Sequence, residues 1–400
     1  MMWDWHASLN AQDLVRTHAC DTRPAGVECL LLTGATGFIG GNVMVAAINA
    51  GLAERLLCLV RGNDAADALE RLRANAIQCG LLASRAAWLT VDNVLLGSLD
   101  SDFAPAAVAR LACVTHVINC AAMASFSSNA QVTRINVRDT LRFASRFADS
   151  PALRRFVHVG TAMACGTRRG TRGPRGTRIS EQDASGDDAS HLVPYTRSKQ
   201  QVELLLRRDF PGLPLVVARP SIVVGHTVLG TQPSASIFWL FRIIHRARRY
   251  TAGPLTRIDV IAADDCAQAL LRLALKPDLR FDAYHLSAGA GAPTIAQVVA
   301  AMDEAALSED APAYRMCPAS DLPVLAHDVA RTERISNRRL IERALRLYSG
   351  FAELGYVFDN GRIREEIDFQ PLSITDYVSE CMRTSHGVGI LEQMSWDFKA

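Results

Sequence analysis

The sequence predicts an α/β fold, a doubly wound parallel sheet followed by a smaller, mainly helical region. Short β-like runs such as "VECLLLTG", "RLLCLV" and "VTHVINCAA" alternate with longer helical stretches, which is typical of parallel strands joined by crossover helices. From about Gly225 onwards the strand-like runs become rare and helical patterns dominate. The 400 residues, 49% of them hydrophobic, are enough for one large domain and an appended smaller one.

The first strand runs into a glycine-rich turn, "LLLTGATGFIGG", in which Gly34, Gly37 and Gly40 are three residues apart. Glycines at this spacing permit a tight strand-to-helix turn, and they let backbone N–H groups approach a pyrophosphate at the positive end of the helix dipole. Because the motif forms the first strand, turn and helix of an alternating chain, it predicts a dinucleotide-binding (Rossmann) domain rather than an ordinary glycine turn.

The second strand ends at Arg61. In a dinucleotide-binding fold this strand end lies beside the adenosine ribose, where an acidic residue binds a free 2′-hydroxyl and an arginine suits a 2′-phosphate. Arg61 therefore favours NADP as the cofactor. Asp64, just beyond it, keeps NAD as the less favoured alternative.

Tyr195 and Lys199 are four residues apart in the helix-compatible stretch "VPYTRSKQQVELLL", so their side chains share one face. An ammonium near a phenol favours the phenolate and lowers the phenol pKa, which suits a tyrosine that exchanges a proton near neutral pH. Such a pair is common in helices by chance, and it is the glycine turn upstream that favours a catalytic interpretation.

Together, these motifs resemble the extended short-chain dehydrogenase/reductases. The glycine turn, "NCAA", "VHVGTA", "YTRSK" and "RPSIVVG" occur in the order of that superfamily. Within it, "CLVRGNDAADALERL" and "INVRDTLRFASRFA" are most similar to the fatty acyl-CoA reductases and to the thioester-reductase domains of carboxylic acid reductases and peptide synthetases, the male-sterility-like NAD(P)-binding family. The later stretches "LGYVFDNGRIREEI" and "SITDYVSECM" resemble the C-terminal domain of fatty acyl-CoA reductases.

The resemblance implies roles for individual residues. Thr161 would bind the substrate carbonyl oxygen, Tyr195 would donate a proton to it, and Lys199 would orient the nicotinamide ribose. The residues implied in cofactor binding are Gly34, Thr36, Gly37, Phe38, Ile39, Gly40, Arg61, Asn119, Ala121, Tyr195, Lys199 and Pro220. The chain departs from the family at Gly97-Ser98, where Gly-Asp is common near the adenine, and this leaves the adenine contacts open.

The implied function is the NADPH-dependent reduction of an acyl thioester. Hydride transfer to the thioester carbonyl gives an oxyanion, which Thr161 and Tyr195 would stabilise before the thiolate leaves. The first product is an aldehyde. The acyl chain, its bearer (CoA or an acyl carrier protein), a second reduction to the alcohol and the oligomeric state remain open.

Two other functions remain open. A sugar-nucleotide epimerase/dehydratase or a hydroxysteroid-type dehydrogenase uses the same Thr, Tyr and Lys set. A non-catalytic nucleotide-binding module is the other class. Such modules commonly lack the Tyr or the Lys, and the presence of both favours an enzyme.

We expect four parts along the chain: an N-terminal extension (1–26), the NAD(P)-binding domain (27–225), a substrate-binding region (226–330) and a C-terminal helical region (331–400). An arginine-rich insertion, "CGTRRGTRGPRGTRIS" (165–180), lies between Thr161 and Tyr195. We interpret it as a solvated flap or a phosphate-docking loop. Its five arginines are Arg168, Arg169, Arg172, Arg175 and Arg178.

Composition excludes several other roles. The 43 basic and 41 acidic side chains nearly balance, so no nucleic-acid partner is expected. The ten cysteines show no Cys-x-x-Cys or His-rich spacing, which predicts reduced thiols, no metal site and a cytoplasmic location. The stretch "SASIFWLFRIIHRARRY" predicts a helix with one face on the core. Contact of this helix with a membrane surface is the less favoured alternative.

Overall fold

The computed structural model describes residues 26–125, 130–167, 177–183, 190–234, 236–306, 312–333 and 337–397. The strands are β1 (Leu30–Thr33), β2 (Leu56–Val60), β3 (Val94–Leu96), β4 (His116–Asn119), β5 (Arg155–Val159), β6 (Thr177–Ile179), β7 (Leu215–Pro220), β8 (Ile222–Val223), β9 (Arg249–Tyr250), β10 (Val260–Ile261), β11 (Ala283–Leu286), β12 (Arg315–Met316) and β13 (Tyr356–Phe358).

The helices are α1 (Phe38–Asn49), α2 (Ala65–Gln78), α3 (Ala83–Ala86), α4 (Pro105–Ala112), α5 (Ala130–Thr133), α6 (Thr140–Ser145), α7 (Pro194–Asp209), α8 (Phe238–Ala247), α9 (Ala263–Leu275), α10 (Ile295–Ala305), α11 (Leu322–Thr332), α12 (Arg338–Leu354), α13 (Gly361–Ile367), α14 (Ile374–Thr384) and α15 (Ile390–Asp397). A π-helical turn, Arg134–Asp139, joins α5 to α6.

Seven parallel strands form the main sheet, in the order β11-β7-β5-β4-β1-β2-β3. The order reverses between β1 and β4, and in open α/β sheets the crevice at such a reversal is where ligands bind. The strands are short and fully buried along most of their length, as expected for a sheet covered on both faces. The predicted doubly wound parallel sheet is confirmed.

Each face of the sheet has its own apolar core. Val43 of α1, Leu72 of α2 and Leu270 of α9 pack on one face. Phe143 of α6 and Val202 of α7 pack on the other. Because helices cover both faces, a ligand can reach the sheet only at the ends of its strands.

The region after residue 225 is mainly helical, but it returns to the main sheet. Strand β11 forms one edge of that sheet by pairing with β7, so the sheet is not complete at the boundary that we expected. Farther along, β13 pairs in parallel with β6, whose residues follow the arginine-rich insertion. The C-terminal residues therefore pack against the dinucleotide-binding half of the chain.

Helix α8 packs as the sequence indicated. Phe238, Trp239, Phe241 and Ile243 are buried in the core of the helical region, so the apolar face of this helix is covered by protein. None of the helices in the described ranges is long and apolar enough to cross a membrane.

Two of the sequence predictions fall partly outside the described residues. These are the N-terminal extension, of which only Gly26 is described, and the arginine-rich insertion, of which residues 168–176 are not described. Arg178, the last arginine of the insertion, lies in β6 and forms an ion pair with Asp359 at 2.7 Å. Arg178 is therefore bound to the C-terminal part of the chain.

Candidate active site

The glycine turn connects β1 to α1 in the conformation that the motif predicts. Gly34 has a φ of +73°, which favours glycine. A Cβ on Gly40 would lie 2.1 Å from the carbonyl oxygen of Gly34, so only a residue without a side chain fits there. Gly37 is the N-cap of α1 and offers no side-chain cap to the first helical N–H groups.

This turn fits the pyrophosphate of a dinucleotide. The start of a helix of 12 residues is left without a side-chain cap, and uncapped N–H groups at a helix N-terminus bind anionic oxygens. Neither Asp nor Glu lies in the first turn of α1, so no carboxylate of that turn competes for these groups. The residues of this turn that we expected to bind the cofactor (Gly34, Thr36, Gly37, Phe38, Ile39 and Gly40) are therefore contiguous at one strand end.

A row of polar side chains crosses three neighbouring strands beside the turn. Thr33, Asn119 and His158 are register partners on β1, β4 and β5. The Thr33 hydroxyl donates to Asn119 Oδ1 at 2.6 Å and accepts the N–H of Ala121 at 3.0 Å. Asn119 is fully buried, and its side chain links the ends of β1 and β5. The backbone of Ala121 lies beside the glycine turn.

His158 completes the row and is neutral. Asn119 Nδ2 lies 3.2 Å from His158 Nδ1. Burial, and secondarily the nearby charge of Lys199, lowers the pKa of His158 well below its ordinary value. His158 is therefore a buried strand residue, and it does not carry a positive charge into the site.

Thr161 and the Tyr195–Lys199 pair meet just beyond β5. Thr161 caps a short 3-10 turn, Ala162–Cys165, where its Oγ1 accepts the N–H of Met163 at 3.3 Å. This turn packs against α7. Lys199 of α7 is buried, and its Nζ donates to the carbonyl oxygen of Val159 at 2.7 Å. The three residues that we expected to be catalytic therefore lie on adjoining elements at the carboxyl end of the sheet.

The titration of this pair differs from our expectation. Burial raises the pKa of the Tyr195 phenol to about 12, so the expected lowering by the Lys199 ammonium is wrong. Burial also lowers the pKa of Lys199 to about 8, against a smaller opposing effect of the Cys120 thiol. Desolvation dominates both shifts because it disfavours the charged form of each group.

Asn136 is a residue of this site that sequence reasoning missed. It lies fully buried in the π-helical turn. Its Oδ1 accepts the N–H of Met123 at 2.7 Å, and its Nδ2 donates to Ser198 Oγ at 3.0 Å. Ser198 in turn donates to the Tyr195 carbonyl oxygen at 2.7 Å. Asn136 therefore joins the segment after β4 to the first turn of α7. A π-helical turn often accompanies a functional site.

Arg61 follows β2 and is exposed. The guanidinium of Arg71, on the second turn of α2, donates to the carbonyl oxygen of Arg61, so a second cation lies at this strand end. Asp64 is the N-cap of α2, where its carboxylate accepts the N–H of Asp67 at 2.8 Å. Sequence reasoning missed Arg71 because its ten-residue separation from Arg61 gives no local pattern.

The turn after β3 also supplies a carboxylate. Ser98, which stands where the family commonly has Asp, donates from its hydroxyl to Asp100 at 2.6 Å. This hydrogen bond is the main cause that lowers the pKa of Asp100. A carboxylate is thus present at this turn two residues later than in the family pattern.

Pro220 is buried at the carboxyl end of β7 and is the register partner of Leu286 in β11. Asp259, farther along the chain, precedes β10 directly and is almost fully buried. Burial raises the pKa of Asp259 to about 6 despite backbone hydrogen bonds from Phe358 and Ala288. This carboxylate is structural, since its oxygens accept N–H groups of the surrounding loops.

The described ranges contain no group of three or more His, Cys, Asp or Glu side chains arranged to hold a metal ion. The nine described cysteines are free thiols.

The sequence profile described as "Male sterility protein", of an NAD-binding family, matches residues 32–270. A curated protein from Cladobotryum sp., the "non-canonical nonribosomal peptide synthetase FrzA", is 26% identical over 279 residues, which are 64% of this chain and 26% of that protein. The chain thus spans about a quarter of the length of this relative.

Solved structures share the fold. The terminal R domain from the myxalamid PKS-NRPS biosynthetic pathway superposes with a TM-score of 0.71 at 18% identity, covering 90% of each chain. A thiolation-reductase di-domain from an archaeal non-ribosomal peptide synthetase gives 0.65 at 15% identity, covering 90% of this chain and 75% of that one. The dTDP-glucose 4,6-dehydratase of Bacillus anthracis str. Ames, in complex with NAD, gives 0.56 at 15% identity, covering 90% and 96%.

The match to the family profile includes the glycine turn, the polar row on the central strands and the Tyr195–Lys199 pair, and it extends over more than half of the chain. On this evidence the chain belongs to the male sterility protein family, NAD(P)-dependent oxidoreductases of the extended short-chain dehydrogenase/reductase type.

Proposed function

We propose that this protein reduces an acyl thioester with NADPH, using Thr161, Tyr195 and Lys199. The observation that carries the proposal is the placement of these three residues. Tyr195 and Lys199 occupy successive turns at the start of α7, which packs against the turn that Thr161 caps. All three lie at the strand ends that also carry the glycine turn, so a dinucleotide held there would reach them.

The bound dinucleotide supplies the hydride. Tyr195 then acts as the proton donor: with a pKa of about 12 its phenol is protonated at neutral pH, and it can donate to the oxyanion that forms on the substrate. Thr161 Oγ1 accepts a backbone N–H, which leaves the hydroxyl proton for donation to the same oxygen.

Lys199 would orient the cofactor. Its Nζ has one donor on the Val159 carbonyl oxygen, and an ammonium has two further donors for the hydroxyls of a ribose. With a pKa of about 8, the side chain is mostly charged at neutral pH.

The preference for a thioester rests on the relatives. The curated relative is named as a peptide synthetase, and two similar structures are a terminal R domain and a thiolation-reductase di-domain. We therefore propose an acyl thioester carried by CoA or by a carrier protein as the substrate. The thiolate is the leaving group, and the first product is the aldehyde.

The preference for NADPH rests on the end of β2. Two arginines meet there, Arg61 exposed and Arg71 bound to its carbonyl oxygen. Asp64, the acidic residue nearest to Arg61 in the sequence, already caps α2. Two guanidinium groups beside the adenosine ribose suit a 2′-phosphate, whereas an unengaged carboxylate would suit a free 2′-hydroxyl.

The test is NADPH consumption by the purified protein with acyl-CoA, acyl-pantetheine and acyl-carrier thioesters, together with detection of the aldehyde. Tyr195→Phe should keep NADPH binding and lower turnover by about two to four orders of magnitude. Tyr250→Phe, a half-buried tyrosine of β9, is the matched control and should keep normal turnover. Turnover of sugar nucleotides or ketones with no thioester activity would overturn the proposal, as would a fully active Tyr195→Phe variant.

A further inference from the structure

Asn75, on the last turn of α2, binds the glycine turn from the side. Its Nδ2 donates to the carbonyl oxygens of Ala35 at 2.8 Å and Gly37 at 3.3 Å. Both protons of the amide are thereby used on the turn. The turn is therefore held by two helices: α1, which follows it directly, and α2, through Asn75.

Gly41 makes this contact sterically feasible. A Cβ on Gly41 would lie 2.3 Å from Asn75 Nδ2 and 2.7 Å from Cys79 Sγ. Gly41 lies inside α1, where glycine costs about 1 kcal/mol relative to alanine. The approach of the amide gives a physical reason for a glycine at this position, distinct from the positive φ of Gly34 and from the contact of Gly40 with the Gly34 carbonyl oxygen.

Holding a carbonyl oxygen also fixes the N–H of the next residue. The peptide group is planar and trans, so its oxygen and its N–H point in opposite directions. Asn75, by binding the oxygens of Ala35 and Gly37, sets the directions of the N–H groups of Thr36 and Phe38. These two groups belong to the turn that would bind the pyrophosphate.

We propose that Asn75 is a positioning residue for the dinucleotide, acting through the peptide groups of the glycine turn across Gly41. The inference rests on the proposed binding of NADPH at this turn. It does not depend on which substrate is reduced. Asn75 itself touches carbonyl oxygens and need not touch the cofactor.

The test is a fluorescence titration with NADPH in the absence of any thioester. Asn75→Ala removes two hydrogen bonds and should raise the Kd for NADPH by about 5- to 30-fold, with turnover at saturating NADPH nearly unchanged. The matched control is Gln78→Ala on the same helix, whose amide donates to the carbonyl oxygens of Gln232 and Pro233 at 3.2 and 3.4 Å. Its Kd should stay within about twofold of the wild type.

A double-mutant cycle separates positioning from general support of the fold. Gly41→Ala should displace the amide and raise the Kd in the wild-type background. In the Asn75→Ala background the same change should have a clearly smaller effect, because the amide that it displaces is gone and only the contact with Cys79 Sγ remains. Additive effects of the two changes, an unchanged Kd in Asn75→Ala, or an equal rise in Gln78→Ala would each overturn the proposal.

The outcomes also separate this inference from the proposed function. A wild-type protein that does not bind NADPH would overturn both. A wild-type protein that binds NADPH without reducing any thioester would overturn only the thioester assignment, and the cycle on Asn75 and Gly41 would still decide the role of the amide.

Discussion

At the scale of single residues, Lys199 shows how function opposes stability in this site. The side chain is buried, and its charged form is disfavoured there relative to water. A neutral side chain of similar length would suit this environment better. Under the proposed function, the binding of ribose hydroxyls by this ammonium gives a reason for a charged residue here.

Lys199→Met should therefore raise the free energy of unfolding at pH 7 by about 2 kcal/mol, with the lost hydrogen bond to Val159 taken into account. The unfolded chain keeps this proton to a pH of about 10.4, whereas the folded protein releases it near pH 8. The stability of the wild type thus rises with pH between these values, and the advantage of the variant should shrink there.

Urea denaturation at pH 7 and at pH 9.5 measures the difference in free energy of unfolding between the variant and the wild type at each pH. Lys276→Met is the control, because Lys276 forms an ion pair with the buried carboxylate of Glu366. That variant should lose stability at pH 7, since it leaves a buried charge without its partner. A Lys199→Met protein that is less stable than the wild type at pH 7 would contradict the account of a destabilising ammonium.

Arg61 decides cofactor choice on the proposal above. Arg61→Ala should weaken NADPH binding by about 10- to 100-fold through loss of charged hydrogen bonds, and should change NADH binding little. Arg85→Ala is the control, since Arg85 is a half-buried arginine of α3 whose guanidinium stacks on Trp88. Titration of each protein with both cofactors gives the ratio of the Kd for NADPH to the Kd for NADH. An equal loss for both cofactors would show that Arg61 supports the fold or the pyrophosphate.

At the scale of elements, the position of α7 depends on a buried ion pair that joins it to β7. Arg219 of β7 donates to Glu203 of α7 through Nε at 3.0 Å and through Nη2, and to the carbonyl oxygen of Glu181 at 2.9 Å. Both partners are about 5% exposed. This pair joins the helix that carries Tyr195 to the sheet.

Glu203→Ala should destabilise the protein by about 3–5 kcal/mol, because it leaves the Arg219 guanidinium buried without its carboxylate. Turnover should also fall, since α7 loses its tie to β7. Thermal denaturation and NADPH oxidation are the two measurements. Asp209→Ala is the matched control at the end of the same helix, where the pair with Arg208 is exposed, and it should leave the stability nearly unchanged. Similar losses in the two variants would refute a special role for the buried pair.

At the scale of the whole molecule, Asp259 joins three parts of the chain. Its carboxylate accepts the N–H of Ala288 at 2.9 Å, beyond β11, and that of Phe358 at 3.0 Å, in β13. Its carbonyl oxygen accepts the N–H of Ile222 in β8. The end of the main sheet, the segment after Pro220 and the C-terminal strand therefore all bond to one buried residue.

Asp259→Asn should lower the free energy of unfolding by about 1–3 kcal/mol, because an amide nitrogen would face one of the two N–H donors. Limited proteolysis should then cut the C-terminal residues before the Rossmann core. Asp368→Asn, at an exposed position with a φ of +48° that asparagine tolerates, should behave like the wild type. Proteolysis that begins in the Rossmann core would contradict the role of Asp259 in holding the C-terminal residues against the rest of the chain.

The sequence by itself determined the features that depend on neighbours along the chain. The glycine turn, the alternation of strands and helices and the Tyr195–Lys199 spacing are local patterns, because backbone dihedrals and helix periodicity act over a few residues. The same reasoning indicated that α8 packs its apolar face on the core. These patterns sufficed for the fold class and for the family.

Only the tertiary structure decided which distant groups meet. Asn75, Asn136 and Arg71 are single polar residues without a periodic signal, and their partners lie on other elements. The sign of the Tyr195 pKa shift was also decided there, since burial rather than the neighbouring charge dominates. Likewise β11 and β13 return to strands far earlier in the chain. Pairing of this kind is set by burial and by register across space, which local sequence patterns do not specify.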